Sequence, residues 1–170
     1  TGPRIERLVD QKIESQELGL RIDPVTDYAF FLVDRSNQGA GASNISFINR
    51  NESILGEIQR FDTTRHSWPP TAEEFGSAVN VAIAAEKAVI DVGPSSDFRM
   101  QVQTIRYEAA KITWASPRKS PVWPLRVHLG KCELGPHVLW ISIYELEARK
   151  PVPDYRAGPI AAIAGAMRPL

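Results

Sequence analysis

Apolar side chains recur at the 3.6-residue spacing of a helix in two parts of the chain. In residues 3–18 they share one face, with Pro3 in the first turn and Gly19 in place for a left-handed cap. In residues 71–89 a second apolar stripe follows a capping box that begins at Thr71. The spacing therefore predicts a first helix near the start of the chain and a second, of about 18 residues, beginning at Thr71.

Other segments have the short apolar runs or the period of two that are typical of strands. Residues 125–149 predict an antiparallel pair of strands that turns near Gly135-Pro136. The second strand of this pair should be central in the sheet because it is apolar on both faces. Residues 97–116 predict one long strand, or two strands with a bulge near Ile105. These segments are 27–35, 45–49, 97–116 and 125–149.

Residues 52–61 fit both periods. Ile54, Leu55 and Ile58 have helical spacing, whereas Ile54, Gly56 and Ile58 alternate as in a strand. We interpret the segment as a helix.

The order of these elements predicts a single α+β domain over residues 1–170. Its architecture should be a mainly antiparallel sheet of about five to six strands, packed against one long helix and one or two shorter helices. A Pro-rich connector at 150–159 precedes a tail at 160–170, which should close as a short helix or serve as a docking tail.

Composition limits the classes of function. Lys plus Arg equals Asp plus Glu at 20 each, so a nucleic-acid partner is possible but not favoured. The single cysteine, Cys132, excludes an internal disulfide and zinc sites with several thiolates. We expect a cytoplasmic or other intracellular location, since no signal peptide and no transmembrane run is visible, although Thr1 is compatible with a trimmed start.

The stretch before the predicted long helix holds one set of candidate catalytic residues. Asp62 could orient His66 as a general base, with Arg65 beside them. A catalytic role also needs a nucleophile or a metal, and the alternative is a charged loop that leads into the helix. In that case Trp68 would pack on the first turns of the helix as a hydrophobic staple.

A metal-dependent nuclease is the second chemical hypothesis, with Asp91, Glu108 and Lys111 as its residues. Such enzymes place an Asp before a strand that carries a Glu and a Lys on one side. A spacing of three puts Glu108 and Lys111 on opposite faces of a regular strand, so the hypothesis needs a bulge between them. Without a bulge they are ordinary edge residues.

Metal ligands and cofactors are not predicted. His128 and His137 lie on the two arms of the predicted hairpin and could be cross-strand neighbours, with Asp62 or Glu133 nearby. Their spacing alone supports a metal site, and the alternative is that they are surface histidines near a hairpin end.

A protein-binding surface is predicted at the Pro-rich segments. Trp123 is flanked by prolines and follows Arg118 and Lys119, which is a composition typical of a partner anchor. Tyr155, in the second Pro-rich segment, is assigned to the same role.

A strand, an Ala-rich helix and a Gly-turned hairpin that ends in "WISIYELEA" resemble viral matrix proteins over about half of the chain. The resemblance implies a viral or phage virion component. We expect a non-enzymatic structural or assembly module that forms a homo-oligomer or docks a protein partner, because the catalytic candidates are scattered and lack a motif, whereas the apolar segments and Pro-rich connectors are coherent. The alternatives are a small metal-dependent nuclease or hydrolase, and a protein with a ligand pocket between sheet and helix.

Overall fold

The computed structural model describes residues 4–34, 43–49, 51, 53–65, 67–68, 81–84, 87–91, 102–114, 123–145 and 159–170. Within them, strands form two antiparallel sheets, and one short helix, α1, spans Pro159–Ala166. The strands are β1 Arg4–Val9, β2 Ile13–Ser15, β3 Leu20–Ile22, β4 Tyr28–Asp34, β5 Asn44–Asn49, β6 Ile54–Arg60, β7 Val81–Ala84, β8 Lys87–Asp91, β9 Val102–Trp114, β10 Trp123–Leu134, β11 His137–Glu145 and β12 Met167–Pro169.

Among the described residues the large sheet has nine strands, eight of them in the order β1-β4-β5-β6-β11-β10-β9-β7. The ninth, β8, pairs with residues 104–108 of β9, whereas β7 pairs with residues 111–114. The early and late parts of the chain meet at the β6–β11 ladder, where Ile54 lies opposite Glu145. The small sheet has the order β12-β3-β2, so the last strand pairs with one of the first.

One hydrophobic cluster joins α1 and the small sheet to the centre of the large sheet. Alternate residues of the central strands supply it, because side chains of a strand point to its two faces in turn. The burial of these side chains is the main source of stability in this part of the molecule. Its members include Ile13, Leu18, Leu20, Ile22, Phe30, Ile45, Phe47, Ile58, Leu139, Ile141, Ile143, Ile160, Ile163 and Met167.

The predicted α+β class is wrong, because α1 is the one helix among the described residues and it is short. The first predicted helix, residues 3–18, is replaced by β1, β2 and a turn. Its apolar stripe is divided between solvent and core: Ile5 is 65% exposed and Val9 is 42% exposed, whereas Ile13 is buried and Leu8 packs on the hydrophobic cluster. Gly19 does adopt the predicted left-handed conformation, at φ 68°, but it ends a turn rather than a helix.

The predicted long helix at 71–89 is also wrong over its second half. Residues 81–84 and 87–91 are β7 and β8, which pair with β9 in one constant register. Their Val and Ile residues suit a strand as well as a helix stripe, and pairing with β9 decides between them. Thr71 lies outside the described residues. The resemblance to matrix proteins loses the Ala-rich helix on which it partly rested.

The helical interpretation of residues 52–61 is wrong as well. β6 follows the alternating pattern, with Ile54, Gly56 and Ile58 buried. Gly56 takes a core-facing place in the strand because the ring of Phe47, opposite it on β5, occupies the space where a side chain would be.

Several strand predictions are confirmed. β4 and β5 fall within 27–35 and at 45–49, and β9 falls within 97–116. β10 and β11 turn at Gly135, whose φ of 60° gives the positive value that a two-residue hairpin loop needs at its first position. β11 is central, between β6 and β10, as its two apolar faces predict. The connector lies outside the described residues except for Pro159, and the tail forms α1 and β12.

Candidate interaction surface

β1 is a terminal strand of the large sheet. Its inner edge pairs with β4 over its whole length, from Arg4 opposite Asp34 to Val9 opposite Ala29. Within the described part of the chain, no strand pairs with its outer edge. An outer edge of this kind presents backbone N–H and C=O groups that another strand can bind.

The side chains of β1 alternate in their surroundings. Leu8 packs against the hydrophobic cluster and holds the strand in place. Ile5, Arg7 and Val9 lie on the opposite face, because they are two residues apart. Ile5 is 65% exposed and Val9 is 42% exposed. The surface of β1 is therefore apolar, with the charged Arg7 at its centre.

A shallow hollow of about 440 Å³ adjoins this strand. Ala29 and Ile48 form its floor, and Val9 lies beside them. Its polar residues come from the end of β1, from the turn before β4 and from the turn after β5, and the backbone of Asp10 and Asp27 is left-handed at φ 54° and 69°. These polar residues are Arg7, Asp10, Thr26, Asp27 and Asn51. Arg7 and Val9 thus belong to both the hollow and the exposed edge.

Sequence reasoning missed Ile5, Arg7 and Val9 as surface residues because it assigned them to a helix. The signal was present, since the run Ile5-Glu6-Arg7-Leu8-Val9 also contains a period of two on one face. The run is short, and Arg7 interrupts the apolar alternation at the period of two, so the sequence alone did not decide between helix and strand.

A buried acid–imidazole pair joins β10 and β11. His128 Nε2 lies 2.7 Å from Glu145 Oε2, and the side chains are 6% and 16% exposed. The two residues occupy diagonal positions, since His128 is opposite Ile143. His128 is thus not the surface histidine that the sequence offered as the alternative to a metal ligand, and the signal that could have corrected this was the later carboxylate at Glu145 on the same face.

Polar side chains also occupy the other face of the sheet centre. Asn44 Nδ2 donates to Ser46 Oγ and to Glu57 Oε2, each at 3.2 Å. Tyr144 lies in the same region of the sheet, and burial, reinforced by the negative charge of Glu57, raises the pKa of its phenol. The phenol therefore stays protonated at neutral pH and can donate a hydrogen bond.

The stretch around Asp62 is an exposed turn. Thr64 donates to Asp62 Oδ1 from both its amide and its hydroxyl, and Arg65 Nε lies 3.4 Å from Asp62 Oδ2. These hydrogen bonds, and then the charge of Arg65, hold the pKa of Asp62 below its usual range. His66 lies outside the described residues, so its pairing with Asp62 stays a prediction.

An aromatic cluster follows this turn. Trp68 packs edge to face on Phe61 at a centroid distance of 6.1 Å, and Phe61 packs on Trp140 at 5.0 Å. Trp68 is therefore anchored on the large sheet through β11.

The nuclease hypothesis depends on three positions around β9. The register between β9 and β10 shifts between Leu125 and Val127, opposite the segment that contains Glu108, which is where the hypothesis needs an irregularity. On the β8–β9 ladder, however, Asp91 pairs with Thr104 and Glu108 pairs with Lys87. The two acidic positions are thus four residues apart along the ladder, about 13 Å at the rise of a strand. Lys111 lies opposite Ala84, next to the same ladder.

Other predicted site residues are separated or lie outside the described ranges. His137 is opposite Leu134 and His128 is opposite Ile143, so the histidines are not cross-strand neighbours. Trp123 is the first residue of β10, opposite Ile112. Arg118, Lys119 and Tyr155 lie outside the described residues.

The described residues contain no group of three or more His, Cys, Asp or Glu side chains that could hold a metal ion. Among these residues there is also no helix with the length and apolar character needed to cross a membrane.

The chain matches no model of a known protein family, and a search of curated proteins gives no significant match.

Proposed function

We propose that the protein is a non-enzymatic assembly module that self-associates through the outer edge of β1. The observation that carries this proposal is the combination of an outer edge of β1 that no described strand pairs with and the exposed side chains of Ile5 and Val9 beside it. A strand from another chain can satisfy the backbone groups of the edge and bury these side chains at the same time.

The composition of β1 supports this proposal. Edges that avoid association commonly carry proline, a bulge or inward-pointing charges. β1 is regularly paired with β4 over six residues and contains no proline, although Arg4, Glu6 and Arg7 add charge. Arg7 separates the two exposed apolar side chains. The apolar side chains favour association, and the charge between them makes the edge selective for its partner.

The proposal is tested by light scattering of the full chain over a range of concentrations. We expect the mass of the wild-type protein to rise with concentration, and Ile5→Lys to weaken association by about tenfold or more, because it removes an apolar contact and adds a charge. Leu170→Lys is the matched control, since Leu170 is 50% exposed and lies outside β1.

Two results would contradict the proposal. One is a wild-type protein that stays monomeric over the whole range. The other is equal association by Ile5→Lys and the wild type. Melting temperatures of both variants should match that of the wild type, because both side chains are exposed.

A further inference from the structure

The β1 edge also carries information about the arrangement of its partner, provided that the proposed self-association holds. In an antiparallel pair of identical strands, a twofold axis passes between the strands at right angles to the sheet. One residue then lies opposite its own copy, and the other pairs are exchanged around it. For β1 to pair along most of its length, the residue on the axis must be Glu6 or Arg7.

The two registers differ in the side chains that they bring together. With Glu6 on the axis, two carboxylates meet at the centre, and Ile5 lies opposite Arg7 of the second copy. With Arg7 on the axis, Ile5 lies opposite Val9 of the second copy, and this pair occurs twice by symmetry. Only the second register joins the two exposed apolar side chains to each other, and apolar cross-strand pairs are favourable.

We propose that a second copy of this chain pairs antiparallel with β1, with Arg7 on the twofold axis and Ile5 opposite Val9. The large sheets of the two copies become one continuous sheet. The two Arg7 side chains carry like charges, but Asp10 and Asp27 line the same hollow as Arg7 in each copy. These two acidic residues in each copy bring negative charge to the region of the axis, which reduces the repulsion between the two Arg7 side chains.

Cysteine substitution tests this register directly. Opposed residues of an antiparallel pair have Cα atoms about 4.5–5.5 Å apart, which is within the span of a disulfide. In the proposed register Arg7 faces its own copy, whereas Glu6 is about 8 Å from its own copy, beyond that span. The native Cys132 is fully buried, and burial, followed by the charge of Glu133, raises the pKa of its thiol to about 12, so it does not compete.

The experiment compares full-length Arg7→Cys and Glu6→Cys after mild oxidation, on non-reducing gels. We expect Arg7→Cys to form a covalent dimer as its main product and Glu6→Cys to remain at the wild-type level. Both positions are exposed, and equal melting temperatures before oxidation would show that both variants fold. Ile5→Lys added to Arg7→Cys should abolish the cross-link, because it prevents the pairing.

The outcomes separate this inference from the proposed function. Cross-linking of Glu6→Cys in place of Arg7→Cys overturns the register but leaves association through β1 intact. The same holds if neither variant cross-links although Ile5→Lys dissociates the wild-type assembly, because β1 then pairs with a different segment. A wild-type protein that is monomeric by light scattering overturns both proposals.

Discussion

At the residue scale, Gly56 shows why the alternating pattern of β6 was ambiguous. A glycine adds no apolar side chain to a strand pattern, so the helical spacing of its neighbours decided the prediction. In the structure the missing side chain is the important feature, since the Phe47 ring covers Gly56 and packs among the buried aromatic residues. Glycine that is covered by a neighbouring aromatic ring recurs in sheets, but only the strand register shows which ring covers it.

Gly56→Ala should lower the free energy of unfolding by about 1–3 kcal/mol. The new methyl group would overlap the Phe47 ring and would lie 2.7 Å from the backbone oxygen of Ser142. Phe47 is only 1% exposed, so its ring has little room to move. Urea unfolding measures the change.

Gly135→Ala provides the comparison for this substitution. No atom lies within 4 Å of the added methyl group, so its cost comes from the backbone φ of 60° alone and should be about 1–2 kcal/mol. A loss of less than 0.5 kcal/mol for Gly56→Ala, on the order of a neutral surface change, would show that the core adapts to the methyl group.

At the scale of elements, the strands with continuous apolar runs could be predicted, because β4 and β11 each lie between two other strands and are apolar on both faces. β1 could not be predicted in this way, because an edge strand exposes residues such as Ile5, whereas the apolar stripe of a helix would bury them. The helix predicted over residues 81–89 was also wrong, because the choice between a helix and the strands β7 and β8 depends on pairing with β9, which is distant in the chain. Local spacing contains no information about such a partner.

The tail element α1 makes a prediction of its own. Ile163 is fully buried in the hydrophobic cluster, so Ile163→Ala should destabilise the protein by about 2–5 kcal/mol. Ala162 lies next to it on the exposed side of α1, and Ala162→Ser should change stability by no more than about 0.5 kcal/mol. Thermal and urea unfolding measure both variants, and similar losses for the two would contradict the packing of α1 on its own chain.

At the scale of the whole molecule, the order of strands lay beyond the sequence patterns. Sequence reasoning found the β10–β11 hairpin because its partners are joined by a short turn. It did not find the β6–β11 and β3–β12 ladders, whose partners are far apart in the chain. The candidate surface was missed for the same reason, since β1 becomes an edge only through the order of the complete sheet.

Alkaline pH should destabilise the folded molecule through two buried groups. Burial raises the pKa of Cys132 from 9.0 to about 12, and burial likewise raises the pKa of Tyr144. The folded state therefore binds these protons more tightly than the unfolded state. Their stabilising contribution is complete below pH 9 and is lost as pH rises through the folded pKa values.

Urea unfolding between pH 8 and pH 11 measures this loss, within the range set by the thiol pKa values of 9.0 and about 12. We expect the free energy of unfolding to fall with pH in the wild type and to fall less steeply in Cys132→Ala, because that variant retains only the contribution of Tyr144. Identical slopes in the two proteins would indicate that the thiol gains no protection from burial.

The β3–β12 ladder has a consequence for the time at which the protein acquires its structure. Ile22 pairs with Met167, so the small sheet is incomplete until nearly all of the described chain has been synthesised. At about 5–20 residues per second, Ile22 waits roughly 7–30 s on the ribosome for this partner. During that interval β3 lacks its partner strand β12, and the hydrophobic cluster lacks Ile160, Ile163 and Met167. The hydrophobic cluster is therefore complete only after α1 and β12 have been synthesised, and a chain truncated before them leaves an open core for chaperones or proteases to recognise.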